Sequence, residues 1–327
     1  MNAADRTPAP NVLAGPYLDR AAHLRKDDAW LAAALQDENS LFLPVWQSRS
    51  LISPQATALS AVLLNRGHQL YETFQVTPNP ADFVFLGRFR EQACFAWTLD
   101  APELPALDRA EFQDLRSIIA QLPREEAGLL AYARALTTWR DRHRFCSRCG
   151  SRAAAKQGGH VMRCTQDACG TETFPRIDPA IIVLITDGER ALLGRQAAWR
   201  PGWYSTIAGF VEAGESLEDA VAREVLEETG VHVDRITYRS SQPWPFPQSL
   251  MLGFIAHATT TAIESSDDEL EDVRWFTRED IASGMPMTPP PISISGCLIE
   301  EWYDAGATRP LRDEPAARTW NSRGSAK

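Results

Sequence analysis

Long apolar runs and an excess of positive charge are both missing from this sequence. The longest apolar stretch, near residues 180–185, is far shorter than the roughly 20 residues that a membrane-spanning helix needs. The 33 Lys and Arg residues are outnumbered by 43 Asp and Glu residues, which argues against broad, sequence-independent binding to nucleic acid. The first fifteen residues are polar and predict no secretory signal. We therefore expect a soluble, cytoplasmic protein with no membrane partner.

Cysteine is also scarce, and four of the six cysteines are clustered. They form two pairs, Cys146-x2-Cys149 and Cys164-x4-Cys169, with fourteen residues between the pairs. In a reducing compartment such clusters indicate metal binding rather than disulfides, and four thiolates close a tetrahedral zinc site that has no open position. The four-residue spacing of the second pair departs from the usual two. The alternative is four reduced cysteines without a metal, and His160, between the pairs, is expected at the surface.

Composition and apolar periodicity divide the chain into four parts. We predict an N-terminal α+β domain over residues 1–140, a zinc ribbon over 141–175, an α/β domain over 176–304 and a disordered tail over 305–327. The first part contains no recognisable catalytic motif, and we favour a folding or dimerisation role for it.

The periodicity also predicts individual helices and strands. In the N-terminal part the predicted elements are a helix at 27–36, strands at 83–86 and 94–97, a helix that includes Phe112, and a helix that ends near Arg142. In the α/β part they are strands at 181–185, 191–194, 204–211, 236–239, 250–258 and 273–276, and helices at 217–229 and 293–302.

Three carboxylates share one face of the predicted helix at 217–229. Glu224, Glu227 and Glu228 stand at i, i+3 and i+4, where like charges repel one another. Divalent cations would offset this repulsion, because carboxylate oxygens are preferred ligands of magnesium and manganese, and a diphosphate is a natural co-ligand. The alternative is an acidic helix face exposed to solvent.

The residues around these carboxylates match a known pattern at every defined position. Residues 209–231 follow Gly-x5-Glu-x7-Arg-Glu-U-x-Glu-Glu-x-Gly-U, where U is aliphatic. This string resembles the box of Nudix hydrolases. The resemblance implies a loop-helix-loop on a Nudix α/β/α sandwich, an α/β fold class, in which a metal-dependent enzyme cleaves a diphosphate.

The resemblance also implies roles for the residues of the box. Glu224 and Glu228 would hold catalytic magnesium or manganese, with help from the carbonyl of Ala208. Glu227 would be a further metal ligand or would orient a water molecule. Arg223 would orient the glutamates through charge-assisted hydrogen bonds.

Two further acidic groups complete the expected set. Glu215 is expected to bond to the groups that hold the metal rather than to the metal itself. A further acid usually arrives from a later loop, and Glu269 is our choice, with Glu271 and Asp272 as rivals. The alternative for this stretch is ordinary surface charge.

A proline- and tryptophan-rich segment, Ser-Gln-Pro-Trp-Pro-Phe-Pro-Gln-Ser, follows the box at residues 241–249. Its prolines fix φ and make the segment stiff, while its aromatic and polar side chains suit recognition of a dinucleotide. The alternative is a connecting loop whose aromatic residues fill a core. The residues concerned are Gln242, Pro243, Trp244, Pro245, Phe246, Pro247, Gln248 and Ser249.

This segment resembles the Ser-Gln-Pro-Trp-Pro-Phe-Pro-x-Ser signature of the NADH pyrophosphatases, a family of Nudix hydrolases. The family also carries a zinc ribbon between an N-terminal domain and the Nudix domain, so the resemblance covers nearly the whole chain. It implies that residues 242–249 line the substrate site. It further implies that Phe210 stacks on a base, that Phe174 lies near the substrate and that the backbone of Ser295 touches it.

The resemblance thus implies hydrolysis of NADH or NAD to AMP and nicotinamide mononucleotide by a homodimer that contains structural zinc. Three alternatives remain open. One is a broader pyrophosphatase acting on ADP-ribose or other dinucleotides, and another is a nucleotide sensor without catalysis, although the box glutamates are all retained. The third is removal of NAD caps from RNA, favoured by a basic patch made of Arg140, Arg142, Arg144, Arg148 and Arg152.

Overall fold

The computed structural model of the protein forms two compact units. Unit 1 comprises Met1–Ile177 and Trp244–Gln248, and unit 2 comprises Asp178–Pro243 and Ser249–Lys327. Within the described ranges, no helix combines the length and apolar character that crossing a bilayer demands. The structure describes residues 11–15, 17–54, 58–66, 74, 80–104, 107, 109–264 and 269–320.

The described residues of unit 1 form a mixed sheet of six strands. The strands are β1 (Leu41–Trp46), β2 (Arg49–Pro54), β3 (Leu59–Ala61), β4 (Phe83–Phe89), β5 (Gln92–Thr98) and β6 (Glu111–Gln113). They are ordered β3-β2-β1-β5-β4, and β6 pairs with β2. The β1–β5 pair is parallel, and the other pairs are antiparallel. The strands predicted at 83–86 and 94–97 are therefore confirmed as parts of β4 and β5.

The core of unit 1 is rich in aromatic side chains. Phe42, Phe83, Phe95 and Trp97 are buried together, and the rings of Phe42 and Phe95 stack with centroids 5.7 Å apart. Such ring pairs contribute about 0.5–1.5 kcal/mol beyond the apolar area that they bury. Among the described residues of unit 1, the α-helices are α1 (Asp28–Ala34), α2 (Leu115–Ile118) and α3 (Arg124–Arg142).

The start of the predicted helix at Phe112 is wrong. Phe112 lies in β6, where it pairs with Leu51, and its ring packs edge-on against Trp46. Asp114 then caps α2 by accepting a hydrogen bond from the backbone N–H of Arg116. Phe112 fits the apolar spacing of a helix, but its side chain packs against the core from strand β6. Tertiary packing therefore decides the local structure here.

Three short strands make up the cysteine-rich part of unit 1. They are β7 (Ala153–Lys156), β8 (Val161–Cys164) and β9 (Glu172–Thr173), in the order β7-β8-β9 with antiparallel pairing. Gly150 and Gly170, which each follow the second cysteine of a pair, have positive φ angles of 75° and 55°. Glycine adopts this left-handed conformation without a steric cost, so both tight turns are built as their sequence indicates.

Unit 2 contains a second mixed sheet of six strands. They are β10 (Asp178–Thr186), β11 (Arg190–Arg195), β12 (Ile207–Phe210), β13 (Val233–Trp244), β14 (Ser249–Ala258) and β15 (Asp272–Thr277). The order is β13-β14-β10-β11-β15, with β12 paired to β10. Pro243 lies in β13, which is an edge strand among the described strands, the position in a sheet where proline is tolerated.

Helices cover both faces of this sheet. The helices are α4 (Leu217–Thr229), α5 (Arg278–Ala282) and α6 (Ile294–Gly306). Ile181 and Val183 of β10 pack in one core with Val221 of α4, whereas Ile182 and Leu184 pack in another core with α6. This alternation follows from the period of two along a strand. The predicted α/β/α sandwich is confirmed.

The polar segment after α6 is folded, contrary to the predicted disordered tail at 305–327. Its residues up to 320 are described, whereas 321–327 lie outside the described residues. Trp320 stacks on Trp203 with ring centroids 4.9 Å apart, and its indole N–H donates to the carbonyl of Met287. Polar composition predicted disorder here, but the Trp320 side chain and backbone hydrogen bonds between Thr288 and both Arg318 and Trp320 hold the segment within unit 2.

Candidate functional site

Strand β12 leads directly to the carboxylate helix α4. Ala208 and Gly209 pair with Ile182 and Ile181 of β10, which fixes this end of the loop. A Cβ atom on Gly209 would lie 2.0 Å from the carboxyl carbon of Glu224. A side chain at position 209 would therefore displace the Glu224 carboxylate, which explains the glycine at the start of the motif.

Capping residues define both ends of helix α4. Ser216 and Asp219 form a capping box at its start, in which each side chain accepts a hydrogen bond from the other residue's backbone N–H. Gly230 ends the helix with a φ of 71° in the left-handed region. Such caps stabilise a helix by about 0.5–2 kcal/mol, so the ends of α4 are fixed by local sequence.

Arg223 organises the carboxylates of the motif. Its Nε and Nη2 donate to the two oxygens of Glu215 at 2.5 and 2.9 Å. Its Nη1 donates to Glu224 at 2.9 Å and to Glu227 at 3.0 Å, and Nη2 also donates to the carbonyl of Phe210 at 3.0 Å. One rigid guanidinium thus joins the loop to the helix, an arrangement that the planar fork of arginine suits better than a lysine would.

The carboxylates of α4 differ in their environment. Glu228 is only 3% exposed, whereas Glu227 is exposed. Burial raises the pKa of Glu224 above its ordinary value despite the bond from Arg223, and the negative charges of Glu227 and Glu269 raise it further. A bound cation would stabilise this concentration of negative charge in a partly buried position.

The pKa of Glu215 is shifted in the opposite direction to that of Glu224, and this shift predicts how the stability of the protein depends on acidic pH. The hydrogen bonds from Arg223 and from the backbone N–H of Glu212 lower the pKa of Glu215 from 4.5 to about 2. A lowered pKa in the folded state stabilises the fold above pH 4.5 and loses that contribution as the pH falls towards 2. We expect Glu215→Gln to reduce the pH dependence of the unfolding midpoint over this interval. Thermal unfolding between these pH values tests it, and an unchanged pH dependence would contradict it.

The structure distinguishes among the three candidate acids of the later loop. Glu271 forms an ion pair with Arg195, and Asp272 accepts a hydrogen bond from the hydroxyl of Tyr204. Glu269 is exposed and close enough to raise the pKa of Glu224. Of the three, Glu269 is among the charges that raise the pKa of Glu224, and it stays our choice for the further acid.

Within the signature segment, Gln242 has a structural position. Its side chain is buried, its amide nitrogen donates to the carbonyl of Ile292 at 2.9 Å, and its amide oxygen accepts from the N–H of Ile294 at 2.9 Å. These two bonds tie β13 to the first turn of α6. Gln242 was expected to line a substrate site, and the structure shows its amide engaged with the backbone of unit 2.

The rest of the signature divides between the strands β13 and β14 and the segment Trp244–Gln248, from the last residue of β13 to the residue before β14, which we call the tip. Pro243 lies in β13, and Ser249 begins β14. Pro245 is buried, Pro247 is exposed, and the other tip residues are half-buried. The indole of Trp244 and the ring of Phe246 meet edge to face with centroids 5.0 Å apart. The half-buried tip residues are Trp244, Phe246 and Gln248.

The remaining predicted substrate residues fall into two groups. Phe210 in unit 2 and Phe174 in unit 1 are 58% and 57% exposed, so each presents an open aromatic face. Ser295 is buried, and its hydroxyl bonds to the hydroxyls of Ser205 at 2.9 Å and Thr206 at 2.8 Å. No sequence signal predicted this hydroxyl cluster, because two of its members precede β12 and lie outside any motif.

The four clustered cysteines fit a zinc ion. Among the described residues, their sulfur atoms are the group of metal-binding atoms that converges, all within 4.8 Å of one another. Backbone N–H groups of Arg148 and Gln166 each lie 3.4 Å from the sulfur of the cysteine two residues earlier. Such bonds stabilise thiolates, the form that binds metal. The four sulfurs belong to Cys146, Cys149, Cys164 and Cys169.

The predicted surface position of His160 is wrong. The ring is buried, and its Nε2 lies 2.7 Å from the carbonyl oxygen of Phe85. Burial lowers the pKa of His160 to about 4, so the ring is neutral at physiological pH. A neutral histidine that donates to a buried carbonyl fills a core between sheet and ribbon within unit 1, which explains its place between the cysteine pairs.

Comparison with protein families gives three adjacent matches. Residues 39–139 match an NADH pyrophosphatase-like rudimentary NUDIX domain, residues 141–174 match the NADH pyrophosphatase zinc ribbon domain, and residues 176–293 match the NUDIX domain. The first of these matches covers the part of the chain for which the sequence showed no chemistry.

Two relatives are similar to more than half of the chain. The chain is 42% identical over 226 residues to the NAD-capped RNA hydrolase NudC of Stutzerimonas stutzeri, which covers 69% of this chain and 79% of that protein. It is 40% identical over 199 residues to the NAD-capped RNA hydrolase NUDT12 of Homo sapiens, covering 56% of this chain but only 43% of the relative. On the carboxylate helix, the zinc ribbon and these similarities together, the chain belongs to the NADH pyrophosphatase family of Nudix hydrolases.

Proposed function

We propose that the protein hydrolyses the diphosphate bond of NADH and NAD. One water molecule is consumed, and the products are AMP and nicotinamide mononucleotide, which is in its reduced form when NADH is cleaved. The observation that carries the proposal is a complete signature at residues 241–249, which follows in the sequence a carboxylate helix that retains every glutamate of its motif. The names of the relatives, which specify NAD-linked substrates, support the same substrate class.

The carboxylates of α4 supply the donors for the catalytic cation. We assign Glu224 and Glu228, with Glu269 and the carbonyl of Ala208, as the groups that would hold magnesium or manganese. The set fits because it is made of hard oxygen donors and places negative charge around the partly buried Glu224. Bound there, the cation would neutralise the diphosphate oxygens and lower the pKa of a water ligand.

The other residues of the motif orient these metal-binding carboxylates. Arg223 holds Glu224 and Glu227 from one Nη1 atom and anchors the loop through Glu215. A carboxylate that is already oriented loses less conformational freedom when it binds its ligand. We therefore assign Arg223 and Glu215 as positioning residues and Glu227 as a further ligand or a water-orienting group.

The substrate would be recognised by aromatic and polar groups outside the helix. We assign the tip of the signature, together with Phe210 and Phe174, to contacts with the bases and nicotinamide, because exposed rings stack on flat heterocycles. Gln242 and Ser295 are assigned to the walls of the site, where Gln242 fixes α6 and Ser295 offers its backbone.

A substrate panel tests the proposal. Purified, zinc-loaded protein is incubated with NADH, NAD, ADP-ribose and a diadenosine diphosphate in the presence of magnesium or manganese, and products are identified by chromatography and mass. We expect AMP and reduced nicotinamide mononucleotide from NADH. Faster cleavage of ADP-ribose would instead favour a broader pyrophosphatase. Intact substrates with both metals would favour a nucleotide sensor and refute the proposal.

Removal of NAD caps from RNA is a second candidate for the same chemistry. It is supported by the relatives' names and by four exposed arginines around the ribbon, although the fifth, Arg140, donates to the carbonyls of Phe83 and Ala81. If RNA is the substrate, cleavage of capped RNA should fall steeply with salt while NADH cleavage changes little. The exposed arginines are Arg142, Arg144, Arg148 and Arg152.

Three broader assignments accompany the proposal. We propose a homodimer, which sedimentation in solution tests, and a cytoplasmic location, which fractionation tests. We also propose that the chain divides near residues 140 and 175 into an N-terminal domain, a zinc ribbon and a Nudix domain. The folded residues up to 320 are then part of the Nudix domain rather than a separate tail.

A further inference from the structure

The tip of the signature, Trp244–Gln248, groups with unit 1 rather than with the strands on either side of it. Within unit 1 it meets Arg134 of helix α3. The Nε of Arg134 donates to the carbonyl of Pro245 at 3.0 Å, and its guanidinium carbon lies 5.0 Å from the centroid of the Phe246 ring. One side chain therefore holds the tip both by its backbone and by an aromatic face.

Other residues of unit 1 hold the Arg134 side chain in place. Its side chain is only 15% exposed, it donates to the carbonyl of Ser48, and it lies 3.5 Å from the carboxylate of Asp114. Because the guanidinium is planar and its donors form a rigid fork, these partners also fix the direction of the Nε–H bond. A second arginine, Arg116, lies over the Trp244 ring at 5.9 Å.

The composition of the tip explains why it needs support from another part of the chain. Pro245 and Pro247 have no backbone N–H, so the tip has few donors with which to bond to itself. The N–H of Phe246 donates to the carbonyl of Trp244 at 2.7 Å. The carbonyl of Pro245 is buried with its residue and takes its hydrogen bond from Arg134.

We propose that Arg134 is a positioning residue for substrate binding, which sets the conformation of the signature tip through the Pro245 carbonyl and the Phe246 ring. This gives the N-terminal domain a direct part in recognition of the dinucleotide. The inference rests on the proposed function, since the tip acts on substrate only if the signature lines the substrate site.

The test compares Arg134→Met and Arg134→Lys with Arg124→Met, which changes an exposed arginine on the same helix. For Arg134→Met we expect the KM for NADH to rise about tenfold to a hundredfold with little change in kcat, as befits loss of a charge-assisted hydrogen bond that acts on binding alone. Lysine keeps the charge but lacks the fork, so Arg134→Lys should give a smaller rise. Arg124→Met should match the wild type.

Hydrogen exchange of the peptide that covers residues 241–249 gives a readout independent of activity. We expect faster exchange in both Arg134 variants and unchanged exchange in Arg124→Met. If the KM and the exchange of folded Arg134→Met equal those of the wild type, the inference is wrong; if Arg134→Met does not fold, Arg134→Lys decides the matter. If the wild type does not cleave NADH, the proposed function fails, and the exchange measurement still shows whether Arg134 holds the tip.

Discussion

Replacing Glu224 with Gln is expected to lower NADH hydrolysis by more than about 100-fold while the protein stays folded. Glutamine has the shape of glutamate, and its amide oxygen can still accept the hydrogen bond from Arg223. It removes the negative charge, however, and with it a principal donor for the cation. Loss of a group that only supports a metal ligand costs about 10–100-fold, so loss of a ligand itself should cost more.

The matched control is Glu218→Gln, an identical change on the same helix at an exposed residue of its first turn. It should retain wild-type activity and manganese affinity, whereas Glu224→Gln should bind manganese more weakly. Rates are measured at saturating metal, and folding is checked by circular dichroism and zinc content. Activity of Glu224→Gln within a few-fold of the wild type would show that the carboxylate face of α4 is not the catalytic centre.

The second large effect is expected at the zinc ribbon. Cys164→Ser should lose zinc and lower the unfolding temperature of unit 1, because a serine hydroxyl replaces one of four converging thiolates. Structural zinc contributes about 10–16 kcal/mol to the folding of zinc-finger peptides. The ribbon has few buried apolar side chains of its own, among them Val161 and Met162, and they are too few to replace the metal.

Cys297→Ser is the control for this change, since Cys297 lies in α6, outside the cluster. The wild type and the control should each contain one zinc ion per chain, and Cys164→Ser should contain close to none by elemental analysis. Limited proteolysis should cut the variant within residues 141–175 sooner than the control. A Cys164→Ser protein with full zinc content and an unchanged unfolding temperature would refute the structural role of the cluster.

The geometry of the carboxylate helix was predictable because its signals are local. The capping box at Ser216 and the left-handed Gly230 fix the ends of α4, so the spacing of the glutamates translates directly into one helix face. The cysteine pairs were predictable for the same reason, since each pair sits on one tight turn. The reason for Gly209 was not visible in the sequence, because the Glu224 carboxylate that excludes a Cβ is distant along the chain.

Features that depend on distant packing were missed. Trp320 anchors a polar segment that composition alone marks as disordered, and Phe112 joins a sheet through a partner 61 positions away, at Leu51. A role for Arg134 was not predicted from the sequence, because no recognised motif surrounds this residue. One signal was present, since Arg134 is a lone charge within the apolar run of residues 129–136, and a charge that is largely removed from solvent requires partners.

The assignment of Trp244–Gln248 to unit 1 has a consequence for how this protein could have been assembled or could be rearranged. The polypeptide passes from one unit to the other at residues 177, 243 and 248, so neither unit corresponds to a single uninterrupted stretch of gene. A recombination that exchanged the first 177 residues for those of a distant relative would separate Arg134 from the segment it holds. If Arg134 positions the five-residue segment, viable chimaeras of this chain are expected to exchange both together.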